Sequence, residues 1–541
     1  MRNVSTFGSF TTARLGIYAA QKGLEVTGNN MTNINTTGYT RQRLDQMSFV
    51  SGGPDYYSVP MGTKVGNGVI TTGVSQLRDP FLDIAYRNAN TNVGQADTKL
   101  AWLEQVADVL DEVGKGSDDN GLLYKQMQDV IDAVNQMITE GAGHQEYDAL
   151  VRTAAQGLTD LFNTYAKGLE QKKEHLETSL KQDVETVNGL LKNIQELNDS
   201  IRKADVRGDS ALELRDQRNL ALDELSNYMK IDVSYEMEDV GSGTMVEKLV
   251  VSISDTNIKL VDGKYVTQAS VDMKDNYNIK LEELKDRFGK DTPNPQKPQT
   301  LGETLQGSLQ ASRDMLNGEG EFSSKDEIDN DRGATTKRGI PYYQKSLDLL
   351  AKKFADVMNT ANKRGQKPDG TPGGVLFSNS SDGDDPDKIT AANISISKSW
   401  STGKTQLQCS ADPNAPASAT DNLAHILAEL TGKGHEFKPT DVAVDADSQD
   451  PLFTGSFQDM FLNIQGVLGN DIKNTAVVLN SYATTLDEVY VDRDSISGVD
   501  LNEEATNMMQ YQKAYSAACR LMTTLDQALD KLINGTGVVG L

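Results

Sequence analysis

Apolar residues recur at every seventh position near both ends of this 541-residue chain, and that pair of terminal patterns restricts its fold more than any other feature. Near the N-terminus Phe10, Ile17, Leu24 and Met31 share one position of the repeat. Ala13, Ala20 and Ile34 occupy the position three further on, where Thr27 is the polar exception. So narrow a stripe is the seam of a coiled coil. Near the C-terminus Leu501, Met508, Tyr515, Met522 and Leu529 repeat the spacing, flanked by Tyr511, Ala518, Leu525 and Leu532. Asp500, with Glu503 three residues on, reads as the cap of this second helix and Gly535 as its stop. The first helix is weak alone, because Gly16, Gly23 and Gly28 lie inside it and each costs about 0.8–1 kcal/mol relative to Ala. Such a helix forms when its seam finds a partner. The two seams are natural partners for each other, the alternative being that each packs on its own neighbouring domain.

Between the ends the pattern alternates. Helical periodicity dominates to about residue 230. Its strongest stretch sets Leu180, Val187, Ile194 and Ile201 in one register and Leu169, Leu176, Leu190 and Leu197 in another, with Asp183 interrupting the second. Arg207-Gly208-Asp209-Ser210 then predicts the turn of a long helical hairpin whose shorter arm ends near Met229. From Ile231 the residues read as strands, with a hairpin turn at Val261-Asp262-Gly263-Lys264 and a closing stretch at Pro293, Pro295 and Pro298. Helix returns over about 301–362. A polar, turn-rich insert with strand-like Ile394-Ser395-Ile396-Ser397 follows, and helix resumes from Phe457 to about Val489. The expected fold is therefore mainly α with β inserts. Its N- and C-terminal helices pair as a coiled coil (1–50 with 495–541), beside a discontinuous helical rod domain (51–230, 301–366 and 455–494). Two inserted β-rich domains complete it, 231–300 and a β-rich or irregular 367–454.

Composition narrows the function. The net charge is −25, and because residues 1–50 and 501–541 together sum to +2, the middle carries −27. A surface this acidic repels phosphate backbones and anionic lipid, so neither nucleic acid nor membrane insertion is expected. No run approaches the roughly 20 apolar residues of a membrane span, and residues 1–25 lack the apolar core of a cleaved signal. Near-neutral ends suit dense packing, whereas an acidic middle suits contact with water.

The most distinctive run is Gly28-Asn29-Asn30-Met31-Thr32-Asn33-Ile34-Asn35-Thr36-Thr37-Gly38-Tyr39-Thr40-Arg41-Gln42. Asn and Gly tolerate left-handed backbone, as a helix turning into an extended segment requires. The run resembles the Asn-rich signature of the flagellar axial proteins (rod, hook and hook-associated proteins). Its Gly38–Gln42 ending is similar to the hook-associated protein 1 branch. Val499-Asp500-Leu501-Asn502-Glu503-Glu504-Ala505, Tyr511-Gln512-Lys513-Ala514-Tyr515-Ser516-Ala517-Ala518 and Met522-Thr523-Thr524-Leu525-Asp526 resemble that family's closing helix. The likeness covers about 90 terminal residues closely, and the β inserts carry none of it.

The resemblance implies a structural subunit with no catalysis that joins hook to filament, or else another axial protein of the hook or distal rod type. Its implied partners are further copies of itself in a helical ring, the hook protein, the second junction protein (hook-associated protein 3) and the flagellin side of the filament. A cytosolic export chaperone would hold the C-terminal helix. It also implies type III export without a cleaved signal, and a place outside the cell at the hook–filament junction. The assembly interface is expected at Phe10, Ile17, Leu24, Met31, Ile34, Leu501, Met508, Tyr515, Met522, Leu525, Leu529 and Leu532, with Asn29, Asn30 and Asn33 bonding the backbones of neighbouring subunits.

Catalytic, cofactor and metal sites are not expected. His144, His175, His425 and His435 are scattered and no HExxH exists. Gly403-Lys404-Thr405 has Lys398 where a phosphate loop needs its first glycine. Asp329-Asn330-Asp331 and Asp382-Gly383-Asp384-Asp385 lack the spacing and closing Glu of a calcium loop. Cys409 and Cys519 are too far apart in sequence and context to form a disulfide framework.

Overall fold

The computed structural model describes residues 8–49, 68–110, 121–141, 144–241, 245–274, 276–292, 296–302, 304–416 and 418–535. Helix α1 (Gly8–Thr32) opens the described chain, and Gly38, at φ +77°, turns it toward strand β1 (Gln42–Ser48). Strand β2 (Val69–Gln76) pairs antiparallel with β1, Gln42 facing Gln76 and Ser48 facing Val69. This ladder corrects the expected boundary at residue 50, because it binds 69–76 to the N-terminal segment. Isolated two-stranded ladders are marginal, and this one rests on α1.

Four helices follow: α2 (Pro80–Leu110), α3 (Leu122–Glu140), α4 (Gln145–Val206) and α5 (Leu212–Tyr228). At about 1.5 Å per residue α4 is roughly 90 Å long. Its buried stripe runs through Leu158, Phe162 and Tyr165 and on through Leu169, Leu176, Leu180, Val187, Ile194, Leu197 and Ile201, whose spacing predicts the helix, while Leu190 is half-buried. Gly208, at φ +80°, makes the turn into α5.

The first insert holds two sheets. Strands β3 (Ile231–Asp239), β4 (Met245–Ile253), β5 (Lys259–Asp262) and β6 (Tyr265–Val266) form one in that order. Gly263, at φ +62°, sits at the β5–β6 turn. Strands β7 (Ala269–Asp272), β8 (Asn278–Leu281) and β9 (Gln299–Leu301) form the other. Polar side chains of α4 hold the insert: Asn188 donates to the Ala269 carbonyl and accepts from its N–H, both at 2.8 Å. Gln195 donates to the carbonyls of Lys264 and Lys285 at 2.8 and 3.0 Å. Pro293 and Pro295 lie outside the described residues.

Over the 301–362 stretch where helix is expected it returns in pieces: α6 (Gly307–Asn317), the short α7 (Lys325–Asn330) and the 25-residue α8 (Ile340–Arg364). The interruption has a backbone cause. A Cβ on Gly318 or Gly339 would stand 2.5 Å from a main-chain carbonyl oxygen, so the chain doubles back where only glycine fits.

The second insert is irregular more than β-rich, which corrects the first half of that expectation. It has two ladders of two and three residues, β10 (Phe377–Ser378) with β11 (Ser395–Ile396) and, beyond the helices α9 (Lys398–Ser401) and α10 (Asp421–Thr431), β12 (His435–Phe437) with β13 (Phe453–Gly455). Buried side-chain bonds replace ladders. Asn359 accepts from the N–H groups of Leu376 and Phe377 at 2.8 and 2.9 Å, and Asp148 of α4 accepts from the Leu407 N–H at 2.8 Å.

Two long helices close the chain, α11 (Phe457–Ser497) and α12 (Leu501–Gly535). Ser456 and Asp459 form a capping box at the start of α11. Phe457, Met460, Phe461, Ile464 and Leu468 enter the core, and the rest of α11 lies along α2. One contiguous core runs from Trp102 to Leu468, and no residue of α1 or α12 belongs to it.

Candidate assembly site where the chain ends meet

Helices α1 and α12 lie against each other. Two glycines set how. A Cβ on Gly16 would stand 3.6 Å from the Ala518 Cβ, and one on Gly23 would fall 2.5 Å from the Tyr511 ring. Seven residues forward in α1 correspond to seven backward in α12, so the pair is antiparallel. Ala13, Ala19, Ala20, Gly23 and Thr27 are buried beside this line. Phe10, Ile17, Leu24 and Met31 of α1 and Met508, Met522, Leu525 and Leu529 of α12 are half-buried. Ile34, Leu501, Tyr515 and Leu532 are exposed. A search for apolar residues overlooks Gly16 and Gly23. The signal that could have found them is their seven-residue spacing.

The asparagine-rich loop closes one end of the pair. Asn30 is buried, its Nδ2 donating to the Gln42 carbonyl at 2.9 Å and its Oδ1 accepting from the Gln42 N–H at 3.0 Å and the Tyr39 hydroxyl at 2.8 Å. Burial, then the nearby carboxylates Asp216, Glu213 and Glu504, push the Tyr39 phenol above its ordinary pKa, so it stays a donor. Asn33 donates to the Asn29 backbone and side-chain oxygens at 3.0 and 2.9 Å, and Asn29 donates to the Gln42 side chain at 3.3 Å. All three asparagines therefore bond within their own chain. A helix unwinding into a strand leaves its own backbone groups to satisfy first.

Asn29 and Gln42 donate to Glu213 of α5 at 3.5 and 3.1 Å, and Thr40 and Arg41 extend the connection. The Thr40 N–H donates to Asp216 of α5 at 3.1 Å, and its hydroxyl accepts from Arg78 at 3.2 Å. Arg78 also forks onto Asp83 of α2 at 2.5 and 3.0 Å. Asp83 meets Arg493 of α11 at 3.1 Å, and Arg493 and Arg87 share Asp223 of α5 at 2.7 and 2.8 Å. Arg493 also lies 4.6 Å above the Tyr86 ring. Asp216 Oδ1 has no hydrogen-bond donor among the described residues, Arg78 Nη1 standing 3.8 Å away, and burial lifts its carboxyl to about 6 although Thr40 and Arg78 oppose the shift. On the other side, Arg41 grips the first turn of α12, its Nη2 and Nη1 on Glu503 at 2.5 and 3.0 Å and its Nε on the buried Glu504 at 2.8 Å. Asp500 caps α12, accepting from Asn502 and Glu503 N–H groups at 2.7 and 3.3 Å. Glu503 is thus spent on Arg41 rather than on a capping box.

Comparison with known proteins gives this arrangement a family. The model described as the flagellar basal body rod FlgEFG protein C-terminal matches residues 493–535, which take in α12. The chain is a structural component of the bacterial flagellum. The model described as the flagellar hook-associated protein FlgK helical domain matches residues 107–377, just over half the chain, and the chain belongs to that hook-associated family. Flagellar hook-associated protein 1 of Bacillus subtilis is 29% identical over 554 residues, with 99% of each chain covered. Its Salmonella typhimurium counterpart is 24% identical over 599 residues, covering 96% of this chain and 98% of its own. The solved flagellar hook junction protein FlgK from Burkholderia pseudomallei shares the fold at a TM-score of 0.53 and 13% identity, covering 76% of this chain and 100% of its own. Among the described residues no helix is long and apolar enough to cross a membrane.

Proposed function

We propose that this protein is the subunit that joins hook to filament, and that it assembles through a coiled-coil domain made of its own two ends. What carries the reading is the antiparallel contact of α1 with α12, made by a chain of the hook-associated family. The seams then have two jobs. Gly16, Gly23, Tyr511 and Ala518 close the pair within one subunit. Ile34, Leu501, Tyr515 and Leu532, still exposed, are apolar surface for neighbouring copies. Copies related head to tail, without closure, build a helical array.

In this reading the hook protein lies on one side of the ring, and hook-associated protein 3 and the flagellin filament on the other. With 69–76 joined to the terminal segment, residues 80–230, 301–366 and 455–494 form the rod domain, and 231–300 and 367–454 are lateral inserts. The protein acts outside the cell after type III export, and a cytosolic chaperone holds α12 beforehand. A strain lacking the gene is expected to make hooks without filaments and to lose flagellin to the medium. Immunogold label on the restored protein belongs at the hook–filament boundary. Label along the whole hook would instead indicate a hook-type subunit. Leu525→Asp places an unpaired charge in the half-buried seam and should fail to restore filaments; normal filaments from that variant would remove the seam from the account.

A further inference from the structure

Three residues, Gly498-Val499-Asp500, separate α11 from α12. The terminal pair shares no apolar core with the rest of the chain, so the direction in which it leaves the rod is set by polar contacts at this elbow. Asn29 and Gln42 tether the α1 side to Glu213 of α5, and Arg41 is the residue placed to set the α12 side. Its N–H donates to the carbonyl of Ser497, the last residue of α11, at 2.8 Å, and its carbonyl accepts from the Leu77 N–H at 2.9 Å. Its backbone is thereby stitched to the end of α11 and the approach to α2, while its guanidinium holds two carboxylates of α12's first turn.

We propose that Arg41, with Glu503 and Glu504, is a latch that fixes the angle between the α1–α12 pair and the rod. A planar guanidinium engaging two carboxylates through three bonds restricts orientation as a point charge does not. Glu504 is 2% exposed, so breaking the latch leaves a buried charge without its cation. The elbow also has room to bend. A cleft of about 350 Å³ lies inside it, lined by the 33–40 loop, Tyr490, Arg493, Ser497, Gly498 and Val499. The neighbouring residue, Thr40, is bound to α5 and to Arg78, so the loop stays with the rod while α12 turns on Arg41.

The chain carries its own reporters, because its two cysteines fall on opposite sides of the elbow, Cys409 in the second insert and Cys519 in α12. Spin labels on both, in the full-length chain, give the distance between the two bodies whether or not the protein ever enters a flagellum. The wild type is expected to show one narrow distance distribution. Arg41→Ala should replace it with a broad one at unchanged helix content, and Arg41→Lys should fall between. Should Arg41→Ala unfold the terminal pair, Glu503→Gln with Glu504→Gln removes the same contacts from the other side and must itself broaden the distribution. A broad distribution in the wild type, or wild-type width in the double glutamine variant, would overturn the latch.

Discussion

Glycine at position 23 is in the wrong place for a helix and the right place for a helix pair. Gly23→Ala improves intrinsic propensity, yet its Cβ would meet the body of the Tyr511 ring at 2.5 Å. Overpacking of this kind costs about 1–3 kcal/mol, so the variant should lower the melting temperature of the terminal pair, followed by circular dichroism. Gly28 is the control. Nothing lies within 4 Å of its would-be Cβ, and Gly28→Ala should stabilise by up to about 1 kcal/mol. Asp216 makes a second test. Burial lifts its carboxyl from 3.8 to about 6, so between those values the folded chain binds more protons than the unfolded one. This residue's contribution to stability therefore falls as pH rises through that window. Asp216→Asn keeps an acceptor for Thr40 and removes the charge. Urea titrations at pH 4 and 7 should find the variant gaining on the wild type at the higher pH. Residues of this kind are illegible in sequence, because a glycine is read as a weak helix former and an aspartate as surface until their neighbours are known. The heptads themselves were legible, since periodicity needs no partner to be seen.

Among the elements, length and regularity decided what could be read. The 62 residues of α4 follow from a repeated apolar stripe, and its turn from Gly208. The break between α6 and α8 was not readable, because it depends on carbonyls of Asp314 and Lys337 crowding Gly318. The second insert misled for a related reason. Its backbone is satisfied by side chains outside the insert, Asn359 and Asn362 of α8 and Asp148 of α4, and single-residue propensity cannot see such partners. The elements also differ in how firmly they are held. Helix α4 buries residues along its whole length, whereas α12 buries only Glu504 and keeps the rest half-buried or exposed. Hydrogen exchange should accordingly find α1 and α12 amides opening faster than those of α4, by roughly two orders of magnitude or more. Equal protection would mean that the pair is held by more than its seam.

At the scale of the whole molecule, two modes of cohesion divide the chain. Residues from Trp102 to Leu468 share an apolar core. The terminal pair is joined to it by Asn29, Gln42 and Arg41 and by Thr40, which reaches the Arg78–Asp83–Arg493–Asp223 network. Charges taken out of water contribute less net stability than apolar contacts but are selective in geometry, which suits a joint whose angle matters more than its strength. The antiparallel lie of α1 and α12 carries one more consequence. Their peptide dipoles point in opposite directions and largely cancel, so the bundle presents little net axial field to whatever stacks on it. It also gathers the outset and the finish of the described polypeptide at one tip, the tip remote from Arg41. Two fluorophores, one near Gly8 and one near Gly535, would therefore sit as close neighbours while the helices are joined and drift apart as soon as they unzip.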